Sequence, residues 1–345
     1  MTALLNRRCR TLEFLVALVA VALFASYGSA QTAELPTYTP TYQVAGVIHT
    51  WGSPQMGELL RLYEEGFRKL QPAVSFEDSL KSTVSSVAGV YTGRADIGLL
   101  GRKIWPTEVQ AFESVTGHTP TTIEVATGAY DVPKATYALM IFVNRSNPIA
   151  SLSTGQLDRI FGNTERKPIR TWGDLGLKGV WVKRTIHLYG FSTDNDKALI
   201  FSRMIFKESV RWNCNLREYS NTSGPHATDA GELILQAVAK DPAGIGISNI
   251  HYASRSVKAL PLSTPNHELP VAPTRESVAS RLYPLSRAVY IVLNRAQNSP
   301  INPAALEFLR YVLSRQGQED VLYEGNYLPL TLSIVKEQRR LLEAR

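Results

Sequence analysis

Three features of the sequence predict an α/β protein of two lobes, with the second lobe inserted into the first through two crossing strands. Strand-like runs alternate with helix-like stretches from Val44 onward, a grammar that builds a largely parallel sheet. The same alternation starts afresh at Thr154. Two long apolar runs, Tyr137–Val143 and Ala288–Leu293, flank this second series and read as buried strands. A chain of 345 residues exceeds what one core usually holds, which also favours two domains.

The elements follow in order. Arg7, Arg8 and Arg10 precede an apolar run from Phe14 to Ala25 that closes on Gly28-Ser29-Ala30, the layout of a secretory signal peptide over residues 1–30. The run is shorter than the roughly 20 residues a spanning helix needs, and Cys9 lies before it, where it cannot serve as a lipid anchor. Periplasmic location and a new N-terminus at Gln31 are therefore expected. Residues 31–42, with Pro36 and Pro40, read as an extended leader. A strand at Val44–Ile48 runs into Trp51-Gly52-Ser53-Pro54, where Ser53 is placed as a helix cap and Pro54 as the first helical residue. Val74–Phe76 reads as a strand, Ser82-Thr83 as a cap, and Val84–Tyr91 as a helix ended by Gly93. Asp96–Leu100 reads as a third strand reaching Gly101-Arg102, with a helix starting near Pro106.

In the second series, helices are predicted over Thr154–Phe161, Lys197–Phe206 and Ala230–Ala239, with strands at Thr185–Tyr189 and Gly244–Ser248. A helix over Pro303–Ser314 and a charged amphipathic helix end the chain. The division that follows is 43–144 with 283–345 for the first lobe and 145–282 for the second.

Charge narrows the function classes. Without Arg7, Arg8, Arg10 and Glu13, the 37 basic and 30 acidic residues become 34 and 29, a mild and scattered basic excess. No dense stripe suggests nucleic acid as a partner, although a field of this sign favours an anionic ligand. Cys214 is the one cysteine beyond residue 30, so no internal disulfide is expected, and no spacing of Cys or His suggests a metal or other cofactor. Trp51-Gly52-Ser53-Pro54 lacks the second glycine of a nucleophile elbow, and no Ser, His and Asp set accompanies it, which argues against a secreted hydrolase.

Several segments carry a family resemblance. They are Gly89–Arg102 (GVYTGRADIGLLGR); Asn147-Pro148 through Gln156-Leu157 to Ile160-Phe161-Gly162; Trp172-Gly173-Asp174-Leu175; Gly244-Ile245-Gly246; Tyr283-Pro284-Leu285; and Tyr327-Leu328-Pro329-Leu330. In this order the chain resembles the phosphate-binding components of ABC transporters. The resemblance implies a type II periplasmic-binding-protein fold, a monomeric non-catalytic receptor, an ABC transporter permease as partner, and phosphate held between the lobes by N–H groups, hydroxyls and an arginine. Carried over by position, the ligand-binding residues are Gly52 and Ser53, Ser82 and Thr83, and Arg102 from the first lobe. The second lobe would contribute Ser192, Thr193 and Asp194. Asp194 or Asp196 would accept the proton that phosphate retains, and Lys197 reads as a solvated charge or a substitute cation. Relatives show an arginine shortly before a Ser-Gly-Thr turn, whereas this chain has Tyr189-Gly190-Phe191-Ser192-Thr193-Asp194-Asn195-Asp196. Other readings are a sensor or scaffold with a degraded site, or a binder of another oxyanion or of a phosphorylated organic ligand.

Overall fold

The computed structural model describes residues 32–344, apart from 164–166, 208, 210 and 297–300. The signal peptide expected over residues 1–30 and its junction at Gln31 lie outside the described residues. Ten strands form two five-stranded sheets: β1 (Gly46–Gly52), β2 (Val74–Ser79), β3 (Ile97–Leu100), β4 (Thr121–Thr127), β5 (Met140–Asn144), β6 (His187–Phe191), β7 (Leu216–Tyr219), β8 (Gly244–Ser248), β9 (Val257–Ala259) and β10 (Ala288–Leu293). The first sheet has the order β2-β1-β3-β10-β4 and the second β7-β6-β8-β5-β9.

Each sheet combines four strands that run the same way with one strand that arrives from the other lobe and runs antiparallel. In the first sheet β10 lies antiparallel to β3 and β4; in the second β5 lies antiparallel to β8 and β9. The five residues of β5 are all buried, as a strand covered on both faces should be. Because β5 belongs to the second sheet, the change of lobe falls before Met140 and not after residue 144. The two crossings run side by side, tied by Gly128 N–H to Arg287 O at 2.8 Å and Leu139 N–H to Leu285 O at 3.2 Å. Asn249, buried just after β8, clamps the same segment by donating to the carbonyls of Tyr130 and Ala138 at 2.8 and 3.0 Å.

Helices that cover the sheets begin where their sequences supply caps. These are α1 (Gly57–Arg68), α2 (Thr83–Tyr91), α3 (Pro106–Thr116), α4 (Thr154–Phe161), α5 (Asp196–Ile205), α6 (Ala230–Lys240), α7 (Pro303–Val312), α8 (Arg315–Glu324) and α9 (Leu332–Glu343). Ser82, Ser153, Asn195 and Asp229 each accept a backbone N–H at their helix starts. Residues after Pro54 first make a 3-10 turn, Pro54–Met56, and α1 opens at Gly57. The leader docks on the last helices: Leu35 and Tyr38 are buried, and Tyr38 donates to Glu307 at 2.7 Å. Among the described residues, no helix is long and apolar enough to cross a membrane.

One buried acid gives this fold a pH dependence. Glu64 of α1 is 7% exposed, and burial together with the neighbouring Asp78 carboxylate pushes its pKa up to about 8. The folded protein therefore keeps a proton that an unfolded Glu releases above pH about 4.3. The folded state binds more protons through that window, so stability falls as pH rises from about 4 to 8. Glu64→Gln should raise the urea midpoint at pH 9 and leave it nearly unchanged at pH 5. Equal shifts at both pH values would exclude this origin.

Candidate functional site

The C-terminal ends of β1 and β3 and the N-termini of α2 and α5 meet between the lobes, the place where an open α/β sheet offers a crevice. Gly52 ends β1 with φ of +153°, and a Cβ there would stand 2.5 Å from Leu99 O. This close approach lets Ser53 N–H donate to Leu99 O at 3.2 Å and Ser82 N–H to Gly52 O at 3.1 Å. The loops after β1 and β2 are thus tied to each other and to β3 around one glycine. Ser53 is 1% exposed, and its hydroxyl makes no cap bond to the turn that follows.

Gly101 forms part of the floor. A Cβ there would lie 2.8 Å from Thr136 Oγ1, 3.8 Å from Ser53 Oγ and 3.9 Å from Gln55 Oε1, so three side-chain oxygens converge on the space it leaves. Around this floor is a cavity of about 100 Å³ lined from the first lobe by Gln55, Thr83, Gly101 and Arg102. The crossing segments contribute Ala135, Thr136 and Arg287, and the second lobe contributes Asp196, Lys197 and Ile200.

Two cations point the cavity toward anions. Arg287 is partly buried, and its guanidinium donates to Gly101 O at 3.0 Å and Tyr137 O at 3.5 Å. Among the described residues no carboxylate pairs with it, and burial brings its pKa down to about 10. Lys197 lies in the first turn of α5 with its ammonium 5.3 Å from the Phe191 ring centre and 5.4 Å from that of Tyr137. Burial lowers the Lys197 pKa, Asp229 and Asp196 act against that shift, and Arg287 adds to it. Burial is the main cause of both shifts and Asp196 offsets only part of each, so an anion bound between the two cations would offset more of it.

The residues expected from the sequence divide. Thr83 and Arg102 line the cavity, Ser53 reaches its floor, and Gly52 and Ser82 hold the loops behind it. The Ser192-Thr193-Asp194 turn lies elsewhere. Ser192 Oγ donates to Asp194 Oδ1 at 2.6 Å, and Thr193 N–H donates to Glu218 on β7 at 2.8 Å. The helix cap is Asn195, so the second lobe presents Asp196 and Lys197 instead. Arg102 has its charge answered within its own lobe: it forms a two-pronged pair with Glu108 at 2.7 and 2.8 Å and stacks on Trp105 at 4.2 Å. Its side chain is 6% exposed and that of Glu108 15%. Arg102→Met should therefore cost about 2 kcal/mol or more of stability, by stranding Glu108, with anion affinity nearly kept; a normal urea midpoint with lost affinity would reverse this assignment.

Arg287 lines the cavity and was not among the residues expected from the sequence. The available signal was an arginine set directly before the buried run Ala288–Leu293, since a charge entering a core strand needs a reason. Trp51 and Trp172 do not line the cavity; Trp51 packs against Gly89, and Trp172 is buried with Nε1 donating to Ala243 O at 3.1 Å.

A family model described as a PBP superfamily domain matches residues 30–316. The phosphate-binding protein PstS of Pseudomonas aeruginosa is 31% identical over 337 residues, covering 96% of this chain and 97% of its own. The protein SphX of Synechococcus elongatus is 24% identical over 284 residues, covering 81% and 76%. Among solved structures, PstS from Borrelia burgdorferi superposes with a TM-score of 0.57 at 16% identity, over 83% of this chain and 99% of that one. An ABC-type phosphate transport receptor from Vibrio cholerae gives 0.53 at 19% identity, over 81% and 99%. The paired sheets have the type II periplasmic-binding-protein arrangement, and the chain belongs to the family of phosphate ABC transporter substrate-binding proteins within the PBP superfamily.

Proposed function

We propose that this protein is a periplasmic receptor that captures inorganic phosphate between its lobes and delivers it to the permease of an ABC transporter. The observation that carries the reading is the convergence of Lys197 and Arg287, neither in an ion pair among the described residues, on a cavity of about 100 Å³ bordered by Thr83, Gln55 and Thr136. Its volume suits one small tetrahedral anion. The N-terminus of α2, where Thr83 is the first helical residue, adds backbone N–H groups and the positive end of a helix dipole. The Arg-rich, apolar, then small-residue order of residues 1–30 supports export.

Micromolar affinity corresponds to about 8 kcal/mol, and each hydrogen bond to a charged group contributes about 1.5–3 kcal/mol. Release requires the lobes to part, and the side-by-side crossings beside Arg287 are placed to act as the hinge.

Selectivity is assigned to Asp196. Phosphate near neutral pH keeps a proton and sulfate does not, so a carboxylate acceptor rewards the first and repels the second. Asp196 is the one carboxylate lining the cavity among the described residues. Titration calorimetry should show phosphate binding with sulfate far weaker, and Asp196→Asn should narrow that gap about tenfold. Equal binding of the two anions by the unaltered protein would remove phosphate selectivity from the account.

A further inference from the structure

Beside the anion cavity is a second chamber of about 380 Å³, and the two share Arg102, Ile200 and Arg287 in their walls. Its chemistry differs from that of its neighbour. Trp105, Ile200, Met204 and Tyr290 make it largely apolar and aromatic, in a volume within the range of small-molecule sites and much larger than one phosphate fills. Yet it is also basic, although Arg102 and Arg281 are paired with Glu108 and Glu124 behind its wall. Arg102, Arg203, Arg281 and Arg287 line it, and among the described residues no acidic side chain does.

Its polar groups are unfinished. Ser286 Oγ and Arg281 Nε are buried without a hydrogen-bond partner, although Arg281 also reaches Glu124 at 3.2 Å. Unsatisfied buried donors cost stability unless a ligand or water completes them. The chamber also spans the lobes: the guanidinium of Arg203, from α5, stacks on Trp105 of the first lobe at 4.1 Å, and Arg102 stacks on the same ring at 4.2 Å. With both guanidiniums on Trp105, the apolar lining left for a flat organic group is Ile104 and Tyr290 from the first lobe and Ile200 and Met204 from the second.

We propose that the two compartments together take phosphate monoesters with a compact aromatic or branched organic body. The phosphoryl group sits at Lys197 and Arg287, and the body lies against Ile200, Met204 and Tyr290. This inference rests on the phosphate reading of the smaller cavity and extends it to substituted phosphates.

Titration calorimetry with inorganic phosphate and with phenyl phosphate tests it. Phenyl phosphate is expected to bind about tenfold tighter or better, since burial of its ring adds apolar contact that phosphate lacks. Met204→Trp, which fills the chamber from the second-lobe wall, should abolish that advantage and leave phosphate affinity within about twofold. Met204→Phe, with the same but smaller expected effect, covers the case in which the larger ring prevents folding, as checked by thermal unfolding. Phosphate binding with phenyl phosphate no tighter, or an advantage that survives both substitutions, overturns the chamber and leaves the phosphate reading standing. Binding of phenyl phosphate without phosphate would keep the chamber and overturn inorganic phosphate as the ligand. No heat with either compound would overturn both.

Discussion

Arg287→Met is expected to weaken phosphate binding by about tenfold to a hundredfold, the loss of one or two charge-assisted hydrogen bonds to a desolvated anion. The guanidinium forms no ion pair among the described residues, and its bonds to Gly101 O and Tyr137 O are to backbone carbonyls. Removing a cation whose pKa burial has already brought down to about 10 relieves a desolvation penalty in the unliganded protein. The melting temperature without phosphate should therefore change little, while the rise in melting temperature that phosphate confers should shrink in step with affinity. Arg287→Lys keeps the charge but loses the planar fork and should recover only part of the binding. Full affinity in Arg287→Met would exclude this residue as the principal cation.

Gly52→Ala should be the most damaging small substitution in the first lobe. The residue has φ of +153°, outside the comfortable range for an L side chain, and the new methyl would stand 2.5 Å from Leu99 O and 2.7 Å from Leu99 N. Strain and overpacking together should cost about 3 kcal/mol or more. Because Ser53 N–H, Gly52 O and Ser82 N–H tie the two loops to each other and to β3, the displacement reaches Thr83 as well. Urea unfolding should show the loss of stability, and calorimetry a weaker phosphate affinity in the fraction that still folds. An unchanged midpoint would mean that β1 and β3 can separate freely.

Much of the architecture was legible because caps and apolar runs agree with each other locally. Thr154–Phe161 is predicted and observed with the same limits, since Ser153 and Gln156 form a reciprocal capping box and Gly162 ends the helix. Gly244–Ser248 likewise coincides, a short buried run with no competing period. Where sequence separation carries the information, local reading failed. Strand β4 and helix α8 were not anticipated: β4 owes its place to pairing with β10 more than a hundred residues on. Helix α8 has few apolar residues and is held by Gln318, which donates to Val125 O at 3.0 Å and accepts from Leu330 N–H at 2.7 Å.

The site shows the same contrast. The first-lobe loops could be placed because each follows a strand and opens a helix, so Thr83 and the floor around Ser53 are found where strand and cap predict them. The distribution of charge could not. Arg102 and Lys197 look interchangeable as basic residues near loops, and only the fold decides that Glu108 answers the first while the second faces the cavity with Arg287. In the second lobe, Glu218 of β7 captures the Thr193 N–H and Asn195 takes the capping role. The Glu218 contact spans 25 residues and leaves no local trace, whereas the Asn195 cap is local but stands between two acids that could equally cap; together they move the cavity-facing position from Ser192–Asp194 to Asp196 and Lys197.

A crystal structure of the protein grown with phosphate tests the central claim most directly. One phosphate is expected between the lobes with Arg287 and Lys197 within hydrogen-bond distance of its oxygens, and Thr83 at the N-terminus of α2 beside it. A phosphate held instead at the Ser192–Asp194 turn, or by an Arg102 released from Glu108 while Arg287 stays on its carbonyls, would contradict it.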